Sequence, residues 1–355
     1  MFLNFSFRFA SIAIALAAIL PLSSQAQQRA LTVYSSLDED QAKALIKAFE
    51  IKHPSIKVNA ILGSTAPIIA RVIAESASPQ ADVILGNAVS ALMAADARGL
   101  LLPFKPSSYD KVAPLMRDNR AEPVWVGIDA WASSLCFNTA EGAKKKIPAP
   151  TSWMDLTKPI YKGQITMPSP LSSGTALLAV NGWLTAFGEQ QGWAFMDKLH
   201  ENISQYGHSG SAPCRLAGSG EALIGISYAT PGVKLINDGA PIQIILPTEG
   251  LGWEIEATAI VKGARNLADA KVLAEWSASR EAAEISSKFL PMTAYEDIKS
   301  LPKNYPVGES SKLLKMDFAR LAATRESIMA EWQRRYGTKV PAKNSLQPTN
   351  YSPRS

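Results

Sequence analysis

The chain has 355 residues, 36 Lys and Arg against 31 Asp and Glu, a net charge of +5, two cysteines and three histidines. That length favours two lobes, because single cores stop growing near about 250–300 residues. The mild positive balance, with Lys144-Lys145-Lys146 as its one basic run and no aromatic-interleaved basic stripe, argues against a nucleic-acid partner and suits a small anionic ligand.

Residues 1–26 read as an export signal. Arg8 gives a short basic region, Ile12 to Leu22 is almost wholly apolar, and Ser24-Gln25-Ala26 is a small-x-small cleavage site. A membrane anchor is the alternative, but the apolar run falls short of the about 20 residues a spanning helix needs. A soluble periplasmic protein, cleaved near Ala26, is therefore expected.

Leu31 to Tyr34 predicts a strand ending in Ser35-Ser36. Asp38 is then expected to cap a helix over Glu39 to Lys52, which Pro54 stops. Ile56 to Leu62 and Ala81 to Leu85 predict two further strands. Their turns are Gly63-Ser64-Thr65 and Gly86-Asn87, and each leads into a helix. This alternation argues for a mostly parallel sheet with helices on its faces. In open sheets of this kind ligands sit at the carboxyl ends of strands, where Ser35-Ser36, Ser64-Thr65 and Gly86-Asn87 fall. Ser, Asn and Gly also dominate turns that bind nothing.

Val124 to Ile128 and Ser133 to Phe137 predict extended segments, with Gly127-Ile128-Asp129 as a crossing between lobes. Gly163 to Met167 predicts a strand that feeds Ser172-Ser173-Gly174-Thr175 and an amphipathic helix. Helix starts leave about four amides without intrahelical partners and carry a positive dipole end. Hydroxyls beside those amides, with a glycine that lets the backbone approach, make a cradle for a phosphate-like anion. An ordinary Ser/Thr N-cap reads the same way. His208-Ser209-Gly210-Ser211 opens another helix, Ala222 to Ser227 predicts a strand ending at Tyr228, and Trp253 to Val261 is a plausible return crossing. Leu267 to Trp276, Ala282 to Phe289 and Ser310 to Tyr336 predict helices. These readings give a first lobe over 27–128 plus 250–340, a second over 129–249, and a flexible tail over 341–355.

Catalytic readings fail on missing partners. Gly207 to Ser211 nearly spells a G-x-S-x-G elbow, but the last position is Ser211 and no histidine follows His208. His53 and His200 end surface helices. There is no metal signature and no nucleotide-binding glycine motif, so no cofactor and no enzymatic activity are expected. Cys136 and Cys214 could form a disulfide in an oxidising compartment, or could be two separately buried thiols.

Four stretches carry a family pattern: Leu31 to Ser36, Pro79 to Val83, Pro168 to Thr175 and Gly220 to Ser227. On them nearly all of the mature chain resembles the periplasmic solute-binding proteins of ABC importers, in the type II, ferric-binding-like group. Tyr206 to Cys214 and Glu249 to Glu254 make it most similar to the branch assigned to 2-aminoethylphosphonate. The resemblance implies an α/β fold of two mostly parallel-sheet lobes joined by a hinge. It also implies a monomer that delivers its ligand to an inner-membrane ABC permease. Ferric-binding members carry a tandem tyrosine where this chain has only Tyr228, and a histidine near the place of Asp38. These departures favour an organophosphonate over iron, with ferric iron or a phosphate ester as the alternative. The implied anion anchors are Ser172, Ser173, Gly174 and Thr175 with Ser209 and Ser211. Ser64 and Thr65 are further donors. Ser35, Ser36 and Asn87 complete the expected set. Asp38 is the first choice for the ligand's ammonium group and Glu254 and Asp129 the next, while Tyr228 and Trp253 are candidate pocket walls.

Overall fold

The computed structural model describes residues 29–340 and Met1. The export signal read over 1–26 and the tail over 341–355 lie outside the described residues. The first half opens with β1 (Arg29–Ser35), α1 (Glu39–Lys52), β2 (Ile56–Leu62), α2 (Thr65–Ala74), β3 (Val83–Ala88), α3 (Val89–Asp96) and the short β4 (Leu101–Leu102). After β5 (Val126–Asn138) come α4 (Thr139–Lys145), β6 (Ile165–Pro168), α5 (Gly174–Phe187), α6 (Glu189–Asn202), β7 (Ile203–Gly207), α7 (Ala212–Gly218), β8 (Ile224–Tyr228), α8 (Ala229–Asn237) and β9 (Ile242–Ile245). The chain returns through β10 (Trp253–Val261), α9 (Leu267–Ser277), α10 (Arg280–Ser286), β11 (Met292–Thr293) and α11 (Phe318–Tyr336).

Hydrogen-bonded neighbours run β2-β1-β3-β10-β5-β8-β6-β7. The pairs β1–β2, β1–β3, β6–β7 and β6–β8 are parallel, as strand-helix-strand crossovers require. The strands that carry the chain between halves, β5 and β10, run antiparallel to their neighbours, so the sheet is mixed. β5 is a single strand of 13 residues, all of them buried. It joins into one strand the two extended segments read from the sequence, Val124 to Ile128 and Ser133 to Phe137, through the buried Asp129. Its residues through Ala132 pair with β10, and those from Ser133 pair with β8. The sheet therefore passes from one half to the other inside one strand, and the halves form the two lobes of this α/β fold.

Both faces of the first half are covered by helices. Leu31, Val33, Val83 and Leu85 pack with Leu45 and Phe49 of α1, while Tyr34 and Ile84 pack on the opposite side with Ile68, Ile69 and Leu92. Burial on both faces explains why β1 and β3 read as apolar runs. In the second half a disulfide joins Cys136 of β5 to Cys214 of α7, with Cα atoms 5.2 Å apart. The last helix begins at Phe318, later than the predicted Ser310, because Asp317 caps it by accepting the Arg320 amide at 3.0 Å.

Candidate functional site

A cleft of about 520 Å³ lies between the halves, where the carboxyl ends of β1, β2 and β8 meet the loops before α5 and α7. The starts of three long helices open on it: Asp38 and Glu39 at α1, Ser64 and Thr65 at α2, Ser173 to Thr175 at α5. The turn Ser209 to Ser211 joins them. Neither Asp38 nor Ser64, both in N-cap positions, turns its side chain onto its own helix. The unpaired amides of those first turns therefore depend on the cleft or its contents.

Hydroxyls form part of the cleft lining. Thr65 and Thr175 are only 5% and 7% exposed, yet their hydroxyls make no hydrogen bond to any described residue. Two glycines allow the approach. A Cβ on Gly174 would lie 2.4 Å from Thr65 Oγ1 across the cleft, and one on Gly210 would lie 2.5 Å from Thr175 Oγ1. Ser173 acts as the plain N-cap that the sequence left open, accepting the Ala176 amide at 3.4 Å.

Carboxyls form another part of the lining. Asp38 Oδ1 accepts a 2.5 Å hydrogen bond from the Tyr228 hydroxyl, which joins the two halves. Burial raises the Asp38 carboxyl above its ordinary range, and Tyr228 and Arg215 oppose the rise. Burial and the adjacent Asp38 push the Tyr228 hydroxyl well up. Behind them Glu256 of β10 faces Asp129 of β5 as a cross-strand pair. Asp129 Oδ2 accepts from Gln41 Nε2 at 2.5 Å. Burial lifts Asp129 to about 6, and burial plus Asp129 lift Glu256 much further.

Of the residues expected from sequence, Ser36, Asp38, Ser64, Thr65, Ser173, Gly174, Thr175, Ser209, Ser211 and Tyr228 come together here. Four do not line the cleft. Ser35 is fully buried and its Oγ accepts the Leu37 amide at 3.2 Å, shaping the turn from below. Asn87 is fully buried within β3, opposite Ala257. Ser172 donates to the His208 carbonyl at 3.0 Å, tying the two second-half loops together. Glu254 is hydrogen-bonded to Ser90 at the start of α3, with Arg325 of α11 nearby. Trp253 also leaves the set: its ring packs edge-on against Phe318 at 4.9 Å and its Nε1 donates to Leu314. The indole in the wall is Trp131, Gly210 lines the cleft with the Ser209–Ser211 turn as the resemblance implied, and Gln41 and Glu256 are lining residues that sequence reasoning missed. The available signal was the alternation in Trp253-Glu254-Ile255-Glu256, which puts Glu254 and Glu256 on one face of the strand.

A second groove of about 540 Å³ runs between α5, α6 and α11, away from these turns. Among the described residues no group of three or more His, Cys, Asp or Glu is placed to hold a metal ion.

A family model for bacterial extracellular solute-binding proteins matches residues 78–321. The chain belongs to this family. This solute-binding protein is 31% identical over 330 residues to an uncharacterized protein of Haemophilus influenzae, covering 89% of the chain and 94% of the relative. It is 26% identical over 295 residues to a probable ABC transporter periplasmic-binding protein of Sinorhizobium fredii, covering 81% and 79%. Its fold matches the periplasmic binding protein AfuA from Actinobacillus pleuropneumoniae, solved with exogenous fructose-6-phosphate bound, at a TM-score of 0.82 and 28% identity. That match covers 87% of this chain and 99% of AfuA. Iron-bound HitA from Pseudomonas aeruginosa shares the fold at a TM-score of 0.71 and 20% identity, covering 86% and 99%. The solute-binding protein is thus a periplasmic-type binding component of an ABC transporter system.

Proposed function

We propose that this solute-binding protein captures 2-aminoethylphosphonate or a related organophosphonate in the interlobe cleft and presents it to an inner-membrane ABC permease. The observation that carries the reading is the mixed lining of the cleft: free hydroxyls and helix-start amides together with carboxyls. A phosphonate needs many neutral donors, which Thr65, Gly174 and Thr175 offer. The ammonium of the same ligand is matched by Asp38 and Glu256. Hydrogen bonds to a charged group contribute roughly 1.5–3 kcal/mol each, so three to five suffice for a micromolar Kd near about −8 kcal/mol. Donors come from both lobes, assigned to 27–128 with 250–340 and to 129–249, so a bound ligand favours the closed state. Export through a signal over 1–26 belongs to the same reading.

A phosphorylated sugar is the second reading. AfuA was solved with fructose-6-phosphate, and carboxylates also accept hydrogen bonds from sugar hydroxyls. Titration calorimetry with 2-aminoethylphosphonate, ethylphosphonate, fructose-6-phosphate and ferric citrate decides between them. The proposal expects 2-aminoethylphosphonate to bind most tightly. Tight binding of the sugar phosphate or of iron, with neither phosphonate bound, refutes it.

A further inference from the structure

We propose that Asp129 and Glu256 hold one proton between them at neutral pH and release it when a cationic group of the ligand docks beside Glu256. The inference rests on the phosphonate reading above and adds a specificity residue, Glu256, to it.

The geometry begins with strand register. Glu256 of β10 lies directly opposite Asp129 of β5, so their side chains share one face of the sheet. Directly opposed residues bring their Cβ atoms to about 4.5–5.5 Å, and two like charges at that spacing destabilise the pair. Asp129 is fully buried and Glu256 is 9% exposed. Asp129 Oδ2 is occupied by Gln41, whereas Asp129 Oδ1 and Glu256 Oε2 are buried and meet no donor among the described residues. Two buried carboxyls placed opposite each other cannot both ionise without strong repulsion, so one of them keeps a proton that the other can accept. The ladder of β10 shifts register just after Glu256, an irregularity that re-aims a side chain, and Glu256 reaches the cleft wall.

The surroundings carry no compensating cation. α1 contributes Asp38 and Gln41, α10 contributes Ser286, and β8 contributes Tyr228. Tyr305, which donates to Glu309, also faces Asp129. Arg215 of α7 acts on Asp38 and Tyr228 rather than on the pair. None of the ion pairs among the described residues includes Asp38, Asp129 or Glu256. A ligand ammonium supplies the missing positive charge. The pair then passes from one negative charge to two, and its proton leaves to the buffer.

Calorimetry at pH 7 in buffers of different ionisation enthalpy reads the proton directly. The expected result is about one proton released per 2-aminoethylphosphonate bound, none per ethylphosphonate, and none from Glu256→Gln with either ligand. Carbon-13 carboxyl NMR of the ligand-free wild-type protein is the companion, with one carboxyl of the pair protonated at pH 7. Two ionised carboxyls, equal release with both ligands, or release that persists in Glu256→Gln overturns the inference and leaves the phosphonate reading standing. If neither phosphonate binds, the phosphonate reading falls and the ligand-linked release falls with it.

Discussion

Substituting Gly174 with alanine tests whether closure, rather than either lobe alone, makes the site. Gly174 is the first residue of α5, and Thr65 opposes it at the start of α2. The added Cβ would sit 2.4 Å from Thr65 Oγ1 and 3.0 Å from Thr65 Cβ, whereas ordinary contact begins at 3.4 Å. With Thr65 held in its rotamer, relief requires the halves to separate by about 1 Å, the difference between the ordinary 3.4 Å and the clashing 2.4 Å contact. A hydrogen bond stretched from about 2.9 Å to about 3.9 Å is no longer one. Losing two charge-assisted bonds of roughly 1.5–3 kcal/mol each weakens binding by at least about 100-fold. The fold should not suffer, since alanine is the better helix former by about 0.5–1 kcal/mol. Titration calorimetry with 2-aminoethylphosphonate and a thermal melt of the same sample separate the two effects. Gly207→Ala is the control, because an added Cβ there meets nothing within 4 Å. A Gly174→Ala protein that binds within about threefold of the wild type would falsify the interlobe site; a threefold change is under about 0.7 kcal/mol.

Tyr228→Phe removes the donor that joins β8 to Asp38 and leaves a half-buried carboxyl short of a partner. Affinity should fall about tenfold, near 1.4 kcal/mol, by calorimetry, and unchanged affinity would make the contact incidental. Burial holds the Glu254 and Glu309 carboxyls at about 7, against about 4.3 in an unfolded chain. Between those values the folded protein keeps protons that the unfolded chain has lost, so stability must fall as pH rises from about 5 to about 8, by up to roughly 3 kcal/mol per group. Urea titrations across that window check the slope. Glu254→Gln should flatten it, and stability rising through the window contradicts the assignment. The disulfide spans 78 residues, for which loop closure gives about 4 kcal/mol. Replacing Cys136 and Cys214 together by alanine should lower the urea midpoint accordingly, and an unchanged midpoint refutes that entropy account.

The alternating strands and helices of the first half were legible because their periodicity and turn residues are local. The same holds for the hydroxyl turns at strand ends, most of which converge on the cleft. What stayed hidden depends on partners distant in sequence. Asp38 has the grammar of an N-cap, yet its carboxylate goes to Tyr228, 190 residues away. Glu254 and Glu256 share a strand face and chemistry. Only the start of α3, held by Ser90, turns the first into an internal bond and leaves the second to the cleft. Asp129 interrupts two extended segments in sequence because its β10 partner, Glu256, lies about 130 positions later.

That continuous β5 has an optical consequence. The ladder changes partners between Ala132 and Ser133, and Trp131, one residue before that joint, looks into the cleft. A rotation of one half against the other about this joint would change the exposure of the indole. The other described tryptophans lie outside the cleft lining. The protein therefore carries a native fluorophore at its own fulcrum. The emission difference between wild type and Trp131→Phe reports opening and closing without any attached dye.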